Sequence, residues 1–103
     1  MRIISMPPIL AYANKHPTSA QALGDWCQKI RNVTCRNLNE LKKVVSGSVD
    51  YVGGDALFIF NIGGNKCRLL AAIHFNTQLV YIRAVLTHKE YDEYNKNGTL
   101  LNL

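Results

Sequence analysis

The chain has 103 residues, 48% of them hydrophobic, and sets 12 Lys and Arg against 7 Asp and Glu for a net charge of +5. That length suits one domain, residues 1–103, which buries roughly two thirds of the surface exposed by its unfolded chain, and the composition is too apolar for a disordered one. The longest apolar runs, Ala56–Phe60 and Leu69–Ile73, fall far short of the ~20 residues that cross a bilayer, and the basic balance points to nucleic acid or an acidic partner.

Arg2 to Ser5 is short and β-prone, a candidate first strand. Arg2, the apolar stretch behind it and Ala11-Tyr12-Ala13 imitate a signal peptide and its cleavage site. Pro7-Pro8 interrupts that stretch and cleavage would remove the strand, so no signal peptide is expected. The two prolines suit a loop or a first helical turn. Ile9 to His16 reads as helical, ending on the basic Lys15-His16 before Pro17, which favours the helix dipole. Thr18 or Ser19 is the expected cap of a second helix, whose Ala22, Leu23, Trp26, Cys27 and Ile30 recur at spacings of three and four, an amphipathic stripe. Trp26 on that stripe reads as core. Asn37 with Glu40 resembles a capping box for a third helix running to about Val45.

Ser46 to Asp55 is rich in Gly, Ser and Asp and reads as a loop with a short edge strand around Val49–Val52. Ala56–Ile62 is a strong strand, dense in aromatic and β-branched residues. Gly63-Gly64-Asn65 is a turn of residues that tolerate positive φ. Lys66–Phe75 and Leu79–Leu86 are the next two strands, joined at Asn76-Thr77-Gln78. Three strands with tight turns predict an antiparallel meander with helices on one face, an α+β fold. Thr87-His88-Lys89-Glu90 is a full capping box for a short helix that Asn97-Gly98 ends, and the apolar tail behind it would add a strand or pack against a partner.

Three cysteines, Cys27, Cys35 and Cys67, are an odd number without CxxC spacing, and His16, His74 and His88 are scattered. The expectation is reduced thiols in a cytoplasmic protein with no metal or other cofactor.

The unusual charges are Arg68 and Arg83, set inside strand-like apolar runs where Arg is seldom buried without a partner. Val80, Ile82, Ala84 and Leu86 are expected on the core face of the last strand, with Tyr81, Arg83 and Val85 opposite. If Phe75 pairs with Leu79, Arg68 and Arg83 point to opposite faces; if His74 pairs with Leu79, they share one with Tyr81 and His74. The second register is preferred. Each residue also has a structural reading: the arginines could pair with acids of the helical layer, His88 could be surface, Tyr91 could close the core and His74 could be a satisfied histidine.

The functional reading takes them together. Cleaving RNA without a metal uses the substrate's own 2′-hydroxyl as nucleophile, so the enzyme must withdraw that proton, neutralise the phosphorane and protonate the leaving 5′-oxygen. Arg68, and with it Arg83, suits the phosphate. His88 is the side chain able to act as acid or base near neutral pH. Tyr91 can orient a base or stack on a nucleotide.

The segments FNIGGNKCRLLAAIHF and VYIRAVLTHKEYD resemble the HigB-type toxins of bacterial toxin–antitoxin pairs, within the wider RelE-like ribonuclease group. The opening RIIS, the helical first half and the length agree, so the resemblance covers nearly the whole chain. It implies a RelE-like fold and a metal-independent endoribonuclease, an mRNA interferase that cuts mRNA on the ribosome and inhibits translation. It also implies a HigA-type helix-turn-helix antitoxin, a hetero-oligomer with it, and operator DNA bound only through that complex. Under the resemblance Arg68, His88 and Tyr91 are the catalytic candidates, and Lys66, Arg83 and Lys89 the RNA or phosphate contacts. The alternative is a non-enzymatic RelE/ParE-like toxin that binds a macromolecule such as DNA gyrase, its basic residues forming the docking patch.

Overall fold

The computed structural model describes residues 1–45, 48–54, 56–64 and 66–103. Its elements run β1 (Arg2–Ile4), α1 (Pro7–Lys15), α2 (Pro17–Arg31), α3 (Leu38–Val44), β2 (Val49–Gly53), β3 (Leu57–Ile62), β4 (Cys67–His74), β5 (Leu79–Leu86), α4 (His88–Lys96) and a 3-10 turn at Leu100–Asn102. The sheet order is β1-β5-β4-β3-β2. The expected meander is its centre. It is extended at one edge by β2, antiparallel to β3, and at the other by β1, parallel to β5, so the sheet is mixed. Ser46, Gly47, Asp55 and Asn65, which belong to the expected loop and glycine turn, lie outside the described residues.

Alternation along β3 and β4 divides the core between two faces. Phe58, Phe60 and Ile62, with Cys67, Leu69, Ala71 and Ile73, pack against Ile9 and Tyr12 of α1, Leu23, Trp26, Cys27 and Ile30 of α2, and Leu41 of α3. Leu57, Ile59 and Leu70 meet Tyr91 and Tyr94 of α4 and Leu100 on the other face. Trp26 is core, its ring edge-on to Phe60 at 5.0 Å between centroids. The apolar tail adds no strand; Leu100 is buried and closes the second face of its own sheet.

The helix starts follow local chemistry, with one correction. Asn37 Oδ1 accepts from Glu40 N at 2.9 Å. Glu40 Oε1 returns to Arg36 N at 2.8 Å rather than to the cap residue itself. Neither Thr18 nor Ser19 caps α2: His16 occupies the cap without a side-chain bond, and Pro17 starts the helix. Proline at that position has no N–H to satisfy and its φ is already helical, so the helix begins two residues earlier than a Thr18 cap would set.

Register brings a second correction. His74 pairs with Leu79, as preferred, but the ladder shifts between Leu70 and Ala71, so Leu70 faces Ala84, Ala71 faces Ile82 and Arg68 faces Leu86. Arg83 is the extra residue of a β-bulge, and beyond it the faces of β5 exchange. Val80 and Ile82 belong to the helical-layer core together with Val85, whereas Ala84 and Leu86 join the α4 side. The expected single row from Val80 to Leu86 is therefore broken at Arg83.

Candidate active site

The two ends of the α4-side face of β4 differ. At one end His74 and Tyr81 meet edge to face, 5.6 Å between centroids and 88° between planes. At the other end is Arg68, about 20 Å away at the usual rise of an extended strand. His74 and Tyr81 thus stay together and apart from Arg68, although the preferred register would have grouped all of them.

Arg68 is joined by α4. Its Cζ lies 4.3 Å from the centre of the Tyr91 ring, a cation–π contact. The pairing of Arg68 with Leu86 delivers the chain directly into the α4 cap. There Glu90 N donates to Thr87 Oγ1 at 3.1 Å and Thr87 N donates to Glu90 Oε1 at 3.0 Å, the full reciprocal box. With the first turn fixed, His88 and Tyr91 are neighbours three apart on one helix face. The three catalytic candidates from the sequence therefore converge at the β4–β5–α4 corner, on the face away from α1–α3.

Arg68 Nε and His88 Nε2 are both buried and have no hydrogen-bond partner among the described residues. Buried polar atoms are nearly always paired, so two orphans at one corner mark bonding capacity that the fold leaves unused. Among the described residues neither Arg68 nor Arg83 pairs with an Asp or Glu; the pairing present is Arg36 with Glu40 at 3.1 Å. The corner thus holds a fixed guanidinium, a histidine and a phenol. Together these can neutralise an anion and move a proton.

The proposed RNA contacts are dispersed. Lys89 is exposed beside His88. Lys66 reaches toward the helical layer, its Nζ donating to the Thr18 carbonyl at 2.9 Å. Arg83, turned out by the bulge, is exposed, and its Nη1 donates to the Leu103 carbonyl at 3.1 Å. It borders a cleft of about 570 Å³ between α1 and the end of β5, together with Tyr12, Lys15, His16 and Glu90. The His16 ring stacks on Tyr12, with centroids 4.2 Å apart and planes at 23°. From the sequence, Lys15-His16 reads only as a helix end; the i,i+4 spacing of Tyr12 and His16 on a basic last turn is the signal that could have found them.

Comparison with known proteins finds relatives over most of the chain. Residues 19–94 match the HigB toxin family, described as the RelE-like toxic component of a toxin–antitoxin system. The chain is 35% identical over 95 residues to the mRNA interferase toxin HigB of Escherichia coli strain K12, covering 89% of this chain and 88% of that protein. It is 25% identical over 96 residues to an mRNA interferase HigB of Escherichia coli O6:H1, covering 93% of each. The matched span contains β2 to β5, the α4 cap and every one of Arg68, His88 and Tyr91.

Proposed function

We infer function from a plain premise: the chain belongs to the HigB toxin family, RelE-like toxic components of toxin–antitoxin systems. We propose that it is the toxin of a type II pair and an endoribonuclease that cuts mRNA on the ribosome, held inactive by a HigA-type helix-turn-helix antitoxin. The relatives are named mRNA interferases, which favours cleavage over a gyrase-binding toxin of the same fold. The observation that carries the reading is the Arg68–Tyr91 stack at 4.3 Å, one helical turn from His88.

In this reading the 2′-hydroxyl of the substrate attacks the adjacent phosphorus and the bond to the 5′-oxygen breaks, leaving a 2′,3′-cyclic phosphate and a 5′-hydroxyl end. Arg68 neutralises the phosphorane; its stack on Tyr91 holds the guanidinium plane in place while leaving N–H groups for phosphate oxygens. His88 handles the proton, accepting it from the 2′-hydroxyl or returning it to the leaving oxygen. Tyr91 sets the position of Arg68 and offers a ring edge to the nucleotide. Lys89, exposed beside His88, adds positive charge at the corner, whereas Lys66 is held on the helical-layer side by the Thr18 carbonyl.

Purified protein added to ribosomes programmed with a defined mRNA, followed by mapping of 5′ ends, tests the reading. Wild-type protein yields discrete new ends, and Arg68→Ala or His88→Ala protein of native circular dichroism yields none. Intact mRNA with the wild type, or equal cutting by both variants, overturns it.

A further inference from the structure

The cleft between α1 and β5 lies on the opposite side of the sheet from Arg68, yet it touches the same helix start. Glu90 borders the cleft while Tyr91, the next residue, covers Arg68. The first turn of α4 therefore straddles the sheet end, one side on the candidate active site and the other on the cleft. β1 pairs with β5 only from Leu79 to Tyr81. Past that point the edge of β5 lacks β1 as a neighbour, and the cleft opens beside the bulge.

The chemistry of the walls is specific. Lys15 and Arg83 are exposed and face the cleft from its two sides, and His16 joins them. The bulge that breaks the ladder also re-aims Arg83. Its guanidinium uses Nη1 on the Leu103 carbonyl, leaving further N–H donors. The His16 ring is already held against Tyr12, which is 7% exposed, so one aromatic face is fixed in advance at little entropic cost. Cations on both walls, with a pre-stacked ring next to Lys15 on the α1 wall, are what a single-stranded nucleic acid uses: phosphates on the cations and a base against the ring. An acidic peptide would use the charges but has no need of the ring. Glu90 is the acid of the lining, and its Oε1 is engaged by Thr87 N.

We propose that this cleft is a second RNA subsite, in which Lys15 and Arg83 hold phosphodiesters and His16 stacks on a base of the strand flanking the scissile bond. The inference rests on the ribonuclease reading above. It assigns α1, outside the 19–94 family match, a direct part in RNA binding.

The test reads binding, so it can fail separately from cleavage. A fluorescent, fully 2′-O-methylated single-stranded RNA, which has no free 2′-hydroxyl, is titrated against wild-type, Lys15→Glu and Lys15→Ala/Arg83→Ala proteins by anisotropy. Ribosomal 30S subunits form a second arm, which separates an mRNA strand from ribosomal RNA as the source of the phosphates. Both variants should bind the methylated strand about tenfold more weakly; a loss confined to the 30S subunits overturns the assignment to the cleaved strand. The slope of log affinity against log salt should fall by ~0.7 for each phosphate that a variant no longer neutralises. Unchanged affinity for both RNAs in variants of native melting temperature overturns the proposal. So does polyglutamate binding as tightly as RNA and abolished in the same variants, which would make the cleft a peptide site.

Discussion

Arg68 and Tyr91 come from elements that meet only because β5 runs straight into α4. Arg68 pairs across the ladder with Leu86, and the capped turn beyond Leu86 brings the Tyr91 ring to 4.3 Å from the guanidinium carbon. Tyr91 also belongs to the smaller of the two apolar clusters, beside Leu70, Leu86 and Leu100. The ring thus has two roles, as a wall of that cluster and as the surface that holds the guanidinium flat.

Substitution at Tyr91 separates these roles. Tyr91→Phe keeps the apolar body and the cation–π face, so it should retain folding and most phosphate binding. Tyr91→Ala removes both, costs about 3 kcal/mol of stability as an aromatic truncation, and leaves Arg68 without its platform. Cleavage should fall ~10²-fold or more in Tyr91→Ala, comparable with loss of a transition-state donor. Single-turnover rates on programmed ribosomes, with urea midpoints measured alongside, check this. A Tyr91→Phe variant as impaired as Tyr91→Ala would mean that the hydroxyl itself takes part in the reaction.

The Thr87–Glu90 box fixes the start of the helix that carries His88 and Tyr91. Thr87→Ala removes the acceptor for Glu90 N and should lower stability by ~1 kcal/mol. Because the loosened turn bears two site residues, cleavage should fall by more than the change in folded population explains. Thr87→Ser, which keeps the oxygen, should restore both. Urea denaturation and cleavage rates on the same preparations check the pair; a Thr87→Ala protein that is destabilised yet cuts at the wild-type rate would show that the cap matters to folding alone.

Much of this corner is legible in the chain. The limits of β5, Leu79–Leu86, and the Thr87 box follow from apolar run length and local cap chemistry, which act within a few residues. The preferred register at the β4–β5 turn also holds, His74 with Leu79. The exchange of faces at Arg83 is not legible, because Val80, Ile82, Ala84 and Leu86 satisfy a period of two and nothing in the residues reports an inserted one. The parallel docking of β1 beside β5, by which α1 comes to wall the cleft, depends on contacts far apart in sequence. Local pattern therefore locates Arg68, His88 and Tyr91, whereas the Lys15, His16 and Arg83 cleft needs the tertiary fold.

The glycine turn offers a paired test of backbone against packing. Gly63 has φ +59°, and an added Cβ would stand 3.0 Å from both Ala22 Cβ and Lys66 Cδ. Gly64 has φ +73° with nothing among the described residues within 4 Å of an added Cβ. Gly64→Ala should cost only the left-handed backbone penalty, about 1 kcal/mol. Gly63→Ala should cost more, about 2–3 kcal/mol, since the Ala22 methyl on α2 is less able to move than a lysine stem. It should also disturb the Lys66–Thr18 bond. Equal losses in urea midpoint for the two variants would show that the approach of the turn to α2 is loose.

Burial of the thiols should make the fold less stable in alkali. Burial pushes the Cys67 thiol up from its ordinary 9.0 to about 11, against opposing hydrogen bonds from Tyr12 and Ser19. Burial also raises Cys27, Cys35 and Tyr12. A raised folded value means that the unfolded chain loses its proton first. Below about pH 9 both states hold the Cys67 proton and its contribution to stability is complete. Between about 9 and 11 the unfolded thiol ionises while the folded one does not, so stability declines across that window. Urea midpoints under reducing conditions should therefore fall from about pH 8 to about pH 10.5. Cys67→Ala should be less stable at about pH 8, because it leaves a small void, but should decline less steeply. Parallel curves for the two proteins would show that the Cys67 thiol is not a source of the alkaline loss.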